Sequence, residues 1–437
     1  MNTKKILGWA MLALIAVVPG ILWYFLKPSS TLTGYALLTQ SLGQLAALTG
    51  VTLFALSFVL STRMVWIEDL FGGLDKVYVV HAMVGATALV LLLFHPILLV
   101  LKYFPGRSET AAQYLLPGSH WSVNFGIIAL TLLIALIYVT LYTKIKYNKW
   151  KNTHTFLGAV FIIAVLHIFL VRGDASRDSI FTGYYAFAAI VSLIGISSFS
   201  YTLLIKKSGL HEAIFTVQKI EKKKQGVYEI GLKPKHKPIR YKSGQFVFLR
   251  FYNEALTTEA HPFSIISKSN EPEVKVIIKD LGDFTNKIER LKVEDEVAIE
   301  GPYGRFNYNK RFSCDQVWIA GGIGITPFIG MAADFAEMRQ TCTIDLYHTV
   351  RNKEDLIAFD YLKSLEKETK RKFRIIPWIS SESGHIDAKV IAQYSKELKH
   401  KEIFICGPKG FKAAFTKGLA EMGVPKTRIH QEEFSFR

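Results

Sequence analysis

The stretch from His81 to His95, HAMVGATALVLLLFH, decides how this chain is read, together with a later one from His154 to His167, HTFLGAVFIIAVLH. Each is an apolar run with an imidazole at either end, and the separations are fourteen and thirteen residues. At about 1.5 Å of rise per residue, either pair spans roughly 20 Å of helix axis, so one histidine falls toward each side of a hydrocarbon core about 30 Å thick. Two such helices can hold two flat cofactors stacked across a bilayer, each gripped by one imidazole from either helix. Haem takes two axial nitrogen ligands in this way. The alternative is four polar residues satisfied inside a bundle. An ionisable residue inside a membrane span is a functional hypothesis by default, and two spaced pairs strengthen it.

The spacings carry a further demand. On an ideal helix fourteen residues return to within about 40° of the starting face, whereas thirteen miss by about 140°. The second helix therefore departs from ideality between its histidines, and Asn152 with Thr153, read as an N-cap pair, offers a tightened first turn. Gly85 and Gly158 each follow a histidine by four residues. They are either clearance for a porphyrin edge or ordinary helix-packing glycines.

Working outward, the 437 residues are half hydrophobic, and that excess is concentrated before about residue 206. Apolar runs at about 6–26, 42–60, 77–103, 121–142, 155–171 and 183–205 read as six membrane helices. The first, behind Lys4 and Lys5, is too long for a signal-peptide core and lacks a small-residue cleavage site, so it is expected to be retained. Six spans place both termini on one side. Basic residues number ten in the loops on that side (Lys4, Lys5, Arg63, Lys76, Lys144, Lys146, Lys149, Lys151, Lys206, Lys207) against five opposite (Lys27, Lys102, Arg107, Arg172, Arg177). That bias points the termini into the cytoplasm and makes His81 and His154 the inner pair, His95 and His167 the outer. His120 falls in an outer loop and is expected to be solvated.

A net charge of +17 is spread through loops and a mixed-charge C-terminal half, which fits a surface near anionic lipid and acidic cofactors and argues against nucleic acid. The three cysteines, Cys314, Cys342 and Cys406, are widely spaced and form no C-x-x-C. This argues against disulfides, zinc and iron–sulfur clusters.

From 212 to 310 short alternating runs at 213–220, 227–233, 245–251, 262–267, 274–280 and 296–300 predict a small antiparallel β-barrel. His261, Pro262, Phe263 and Ser264 put an aromatic and a hydroxyl on one strand, as a flavin needs an apolar wall and a hydrogen bond near its N5. Lys279, Gly282 and the helix-start Thr285 suit a pyrophosphate. Gly301-Pro302-Tyr303-Gly304 makes a tight turn at the barrel's end. From 316 onward strands at 316–320, 342–348, 372–378 and 402–406 alternate with helices, the pattern of a doubly wound parallel sheet. Gly321, Gly322, Gly324 and Thr326 lie between the first strand and its helix, where backbone N–H groups can meet a dinucleotide's phosphates. Arg351 follows the second strand, placed to pair with the 2′-phosphate of NADPH or else solvated. Cys406, Gly407 and Pro408 end a later strand; Cys406 is either beside the nicotinamide or a buried structural thiol. Phe434 and Phe436 close the chain, as a cover for the flavin ring or as edge-strand packing.

In this order, the paired histidines, H-P-F-S, K-x-x-G-D-F-T, G-P-Y-G, G-G-I-G-I-T-P and C-G-P make the chain resemble the ferric reductase and NADPH oxidase superfamily over nearly its whole length. The resemblance implies a membrane α-helical bundle of six helices with two b-type haems, expected over residues 1–207. It is fused to a ferredoxin-reductase-like module: an antiparallel β-barrel FAD domain (208–311) and an α/β doubly wound NAD(P)-binding domain (312–437). It also implies Ser264 near flavin N5, Lys279 and Thr285 at the FAD pyrophosphate, and Phe434 over the ring.

The chain departs from the animal oxidases in three ways. Leu99 stands where they carry an extra histidine, span two's outer half has no arginine and only Gln40 and Gln44 as long polar side chains, and the outer loops are short. The expected activity is electron transfer from cytosolic NADPH through the lipid bilayer to ferric iron, with O2 giving superoxide as the alternative and a transporter with a redox-sensing soluble half as the remote one. With no calcium-binding loop before the first span, activity is expected to be constitutive.

Overall fold

The computed structural model describes residues 3–26, 32–104, 106–112, 114–145, 147–171, 179–205, 212–257, 259–269, 271–307, 315–338 and 342–432. Phe434, Phe436, Cys314 and the loop residues Lys27, Lys146, Arg172, Arg177, Lys206 and Lys207 lie outside them. The chain divides into two compact units, essentially Asn2–Gly72 with Lys76–Ser208, and Gly209–Arg437.

Among the described residues of the first unit, six helices are long and apolar enough to cross a bilayer: Lys4–Phe25, Gly34–Ser61, Leu74–Leu101, Trp121–Tyr142, Lys149–Leu170 and Tyr185–Leu204. The second is the most enclosed. Small residues let the helices close up, as expected where lipid offers no hydrophobic drive for association. A Cβ on Gly50 would lie 2.9 Å from Leu92, and one on Gly43 would lie 3.1 Å from Leu99, so spans two and three pack backbone to side chain. The position of the oxidases' extra histidine is thus spent on helix packing. Between spans five and six the approach is closer still, with Gly158 facing the Phe199 ring and Gly195 the Phe161 ring. Phe161 is fully buried and packs edge-on against Phe54, their centroids 5.2 Å apart.

Span five is broken where the thirteen-residue spacing required. Helices Tyr147–Thr155 and Leu157–Leu170 meet at Phe156, whose N–H bonds the Thr153 carbonyl at 3.1 Å, one residue short of the α pattern. The N-cap expectation for Asn152 and Thr153 is corrected. Both sit inside a helix that starts earlier, and the Thr153 hydroxyl donates back to the Trp150 carbonyl at 2.8 Å. The tightening therefore follows His154 rather than preceding it.

The second unit opens with six antiparallel strands: β1 (Ala213–Lys224), β2 (Val227–Pro234), β3 (Phe246–Tyr252), β4 (His261–Ser264), β5 (Val274–Lys279) and β6 (Glu296–Tyr303). Their order is β4-β3-β6-β1-β2-β5, and a bridge between Ile265 and Val276 closes the ends into a barrel. The core comes from every second residue, such as Phe215 and Val217, Val247, Leu249 and Phe251, or Val274, Val276 and Ile278, all fully buried. Five parallel strands follow: β7 (Gln316–Gly321), β8 (Ile344–Val350), β9 (Phe373–Ile379), β10 (Glu402–Cys406) and β11 (Ile429–Gln431). The short β11 was not anticipated. Their order, β11-β10-β7-β8-β9, reverses direction between β7 and β10, which opens a ligand crevice at the carboxyl ends of those two strands.

The two glycines read alike in sequence differ here. A Cβ at Gly158 would strike the Phe199 ring at 2.1 Å, whereas one at Gly85 meets nothing within 4 Å. Gly158→Ala is expected to destabilise the purified protein by about 1–3 kcal/mol through overpacking. Gly85→Ala should leave the thermal midpoint in detergent unchanged.

Candidate functional site

Each histidine of the membrane unit is fixed through the same ring atom. His81 Nδ1 lies 2.9 Å from the Ser57 carbonyl, His95 Nδ1 2.9 Å from the Gly43 carbonyl and His167 Nδ1 2.6 Å from the Ser122 carbonyl. A carbonyl only accepts, so in these three the proton is on Nδ1 and the Nε2 lone pair is left for another partner. His154 reaches the same state by a hydroxyl. Thr140 Oγ1 donates to the Leu136 carbonyl at 2.8 Å and must therefore accept from His154 Nδ1 at 3.3 Å. None of the four Nε2 atoms has a hydrogen bond among the described residues. Span two anchors both histidines of span three with one register, since Gly43 and Ser57 are fourteen residues apart, as are His81 and His95.

These residues fit a metal held between imidazoles. The His81 and His154 ring centroids are 6.1 Å apart. Two metal–imidazole bonds of about 2 Å plus the half-widths of two rings come to roughly 6 Å. A ligating histidine almost always donates its other ring N–H to a carbonyl or similar acceptor, as all four do here. His95 and His167 are electrostatic neighbours at the other level. Gly126 of span four, which the sequence reading missed, lies under the His167 ring, where a Cβ would come within 2.7 Å. Trp150 stacks on His154 at 5.3 Å. His120 is exposed, as expected.

In the barrel, β4 pairs with β3 so that Ser264 lies opposite Phe246 and Phe263 opposite Val247. Ser264 is buried, and His261 stacks on Phe284 at 3.9 Å. Lys279 ends β5, and the loop after it is shaped by Thr285, whose Oγ1 accepts from the N–H groups of Leu281 at 2.9 Å and Gly282 at 3.1 Å. Thr285 thus organises its own loop first. Gly282 faces open space. The tight turn expected at Gly301-Pro302-Tyr303-Gly304 is corrected: Gly301–Tyr303 end β6, with Tyr303 paired to Phe246. Gly304, at φ +98°, is tied to the β3 entry by Gln245, whose Nε2 donates to its carbonyl at 3.2 Å. Buried Glu432 comes close beside it, 3.0 Å from where a Gly304 Cβ would stand.

At the sheet's reversal, Gly321, Gly322 and Gly324 lead from β7 into the helix Thr326–Glu337. Gly322 sits at φ +56°, in the left-handed region. A Cβ at Gly324 would meet the Cys406 carbonyl at 2.4 Å and the Gly407 nitrogen at 2.9 Å. The glycine turn and the Cys406-Gly407-Pro408 segment therefore touch, and Gly324 is needed for that contact whatever else the turn binds. Cys406 is fully buried in the core cluster with Trp318 and Phe328. Arg351 is exposed just past β8, its carbonyl accepting from the Ser381 N–H at 3.1 Å.

A residue unremarked in the sequence supports the turn. His348, fully buried on β8 opposite Ala320, donates from Nε2 to the Gly322 carbonyl at 3.1 Å. Burial pushes its imidazole down to about 4, so it stays neutral and donates from one nitrogen only. Its pairing with a backbone carbonyl leaves no sequence signal.

Three family models match the chain in succession: a ferric reductase like transmembrane component over residues 46–165, an FAD-binding domain over 213–307 and an oxidoreductase NAD-binding domain over 318–417. The domain set is that of the ferric reductase and NADPH oxidase-like superfamily. Among curated proteins, the reductase component of propane 2-monooxygenase from Mycolicibacterium smegmatis is 27% identical, over 50% of this chain and 66% of its own length. A flavohemoprotein from Candida norvegensis is 27% identical, over 49% of this chain and 56% of its own. The chain thus spans roughly half to two thirds of these relatives. Among solved structures, the flavohem-like FAD/NAD-binding domain of a Vibrio cholerae nitric oxide dioxygenase is 21% identical, covers 50% of this chain and 97% of its own, and superposes with a TM-score of 0.46.

His348→Phe is expected to raise KM for NAD(P)H about tenfold, the scale of one hydrogen bond, with little change in kcat. His348→Gln, which can still donate to Gly322, should stay within about threefold of wild type in the same steady-state assay.

Proposed function

We propose that this chain is an NADPH-dependent oxidoreductase that exports electrons across the cell membrane, from the cytosolic side to chelated ferric iron outside. The observation that carries this reading is the set of four imidazoles, each bonded through Nδ1 and each keeping Nε2 for a metal. Bound FAD supplies the conversion of a two-electron hydride into single electrons, and two b-type haems supply one-electron carriers across the bilayer.

The chain's own residues bind and orient. His81 and His154 would hold one haem, His95 and His167 the other, with Ser57, Gly43, Ser122 and Thr140 setting ring direction and keeping each imidazole basic. Buried Ser264 would give flavin N5 a hydrogen bond, with Lys279, Gly282 and Thr285 at its pyrophosphate, Gly304 beside it after β6 and Phe434 as the cover of its ring. Gly321, Gly322, Gly324 and Thr326 receive the nucleotide's phosphates. Exposed Arg351 at the end of β8 supports NADPH over NADH, because a guanidinium matches a 2′-phosphate. Gly407 and Pro408 would wall the nicotinamide side of the crevice, with Cys406 buried behind them in the core. The loop charge bias supports cytoplasmic termini, and the three segments 1–207, 208–311 and 312–437 are the proposed working units.

His95→Ala is expected to abolish reduction of an external acceptor while NADPH still bleaches the flavin at the wild-type rate. An unchanged external rate contradicts the route. Superoxide dismutase separates the rival reading, since inhibition by it would make O2 the acceptor.

A further inference from the structure

We propose that Lys102 is the centre of an anion-binding site just beyond the outer histidine pair, selecting an anionic metal chelate as electron acceptor. This rests on the proposed function and names the acceptor's charge class. Lys102 follows span three directly, seven residues after His95, which on a helix returns it to the same face about 10 Å further out. Its Nζ is fixed on three sides, donating to Gln40 Oε1 at 3.3 Å and lying over the rings of Tyr103 at 4.8 Å and Tyr114 at 5.3 Å. The two phenols bond each other at 2.9 Å, which holds the cage together.

Every group that holds this ammonium is neutral. Burial and its hydrogen bond with Tyr103 keep the Tyr114 phenol above its usual range, so it stays protonated. No carboxylate pairs with Lys102 among the described residues. An interfacial lysine ordinarily extends into the headgroups. This one is held against span two, where Gln40 lies one helical turn from Gly43, the anchor of His95. The same two helices therefore fix the outer imidazole and a full positive charge above it. A fixed, uncompensated cation concentrates anions such as citrate chelates and does nothing for a neutral molecule such as O2.

The test uses the full-length protein in nanodiscs, as wild type, Lys102→Gln and Lys102→Arg. Gallium(III) citrate, which is not reduced, reports binding by calorimetry. Ferric citrate (anionic) and hexaammineruthenium(III) (cationic) report turnover at low and high salt. Lys102→Gln is expected to weaken gallium citrate binding and raise KM for ferric citrate by about fivefold, the scale of one partly exposed charge pair, and to flatten its salt dependence. It should leave turnover of the cationic ruthenium complex unimpaired or lower its KM, because the same charge repels a cation, and Lys102→Arg should restore the wild-type values. Equal changes for both acceptors, no change for either, or a wild type that binds no gallium citrate overturns the site and leaves Lys102 an interfacial anchor. A wild-type preparation without haem defeats the proposed function instead, and the gallium arm then decides the anion site alone.

Discussion

The membrane unit depends on one interaction made four times, an imidazole Nδ1–H held by an oxygen on the preceding span. Three of the acceptors are backbone carbonyls inside helices and one is a threonine hydroxyl whose own proton is already used. Fixing Nδ1 fixes the tautomer, the ring direction and the availability of Nε2 at once. The rest of the bundle makes these bonds possible. Gly43 and Gly50 draw spans two and three together, and equal fourteen-residue separations let straight antiparallel helices meet at two levels. On span five, where the separation is thirteen, the helix breaks at Phe156 instead.

The second unit solves a different problem, that of holding irregular loops still. Its loops are tied backbone to side chain. Gln245 fixes Gly304 at the end of β6, Thr285 folds its own loop, and His348 holds the Gly322 carbonyl from the neighbouring strand. Barrel and sheet are fastened within the unit by Ser269, which donates through its N–H and hydroxyl to Asp334, and by a 2.7 Å pair between Lys224 and Asp355 that holds the Asp355 carboxyl below its usual range. Close approach at Gly324 locks the glycine turn onto the end of β10.

Much of this was legible in the sequence because it follows periodicity. Apolar runs gave six spans, period-two burial gave the barrel strands, and alternation gave the parallel sheet. The segment Trp121–Tyr142 was placed to the residue. What escaped lacks a sequence pattern. Carbonyl acceptors at Ser57, Gly43 and Ser122 are available from any residue type, so only coordinates reveal them. His348 and Glu432 act through burial that no local motif announces. Thr153 was misread because a cap-forming residue also serves inside a helix by bonding back to an earlier carbonyl. Gly85 and Gly158 look equivalent on paper, and only the Phe199 ring distinguishes them.

The proposed electron route requires iron held between imidazoles at two levels of the bundle. The most direct measurement is the haem content of the purified, full-length protein, read as iron–porphyrin per polypeptide with an electron paramagnetic resonance spectrum of the oxidised form. Two low-spin, bis-imidazole haems per chain are expected. A preparation that folds and binds FAD and nucleotide yet takes up no haem, or only high-spin haem with a single histidine ligand, would contradict it.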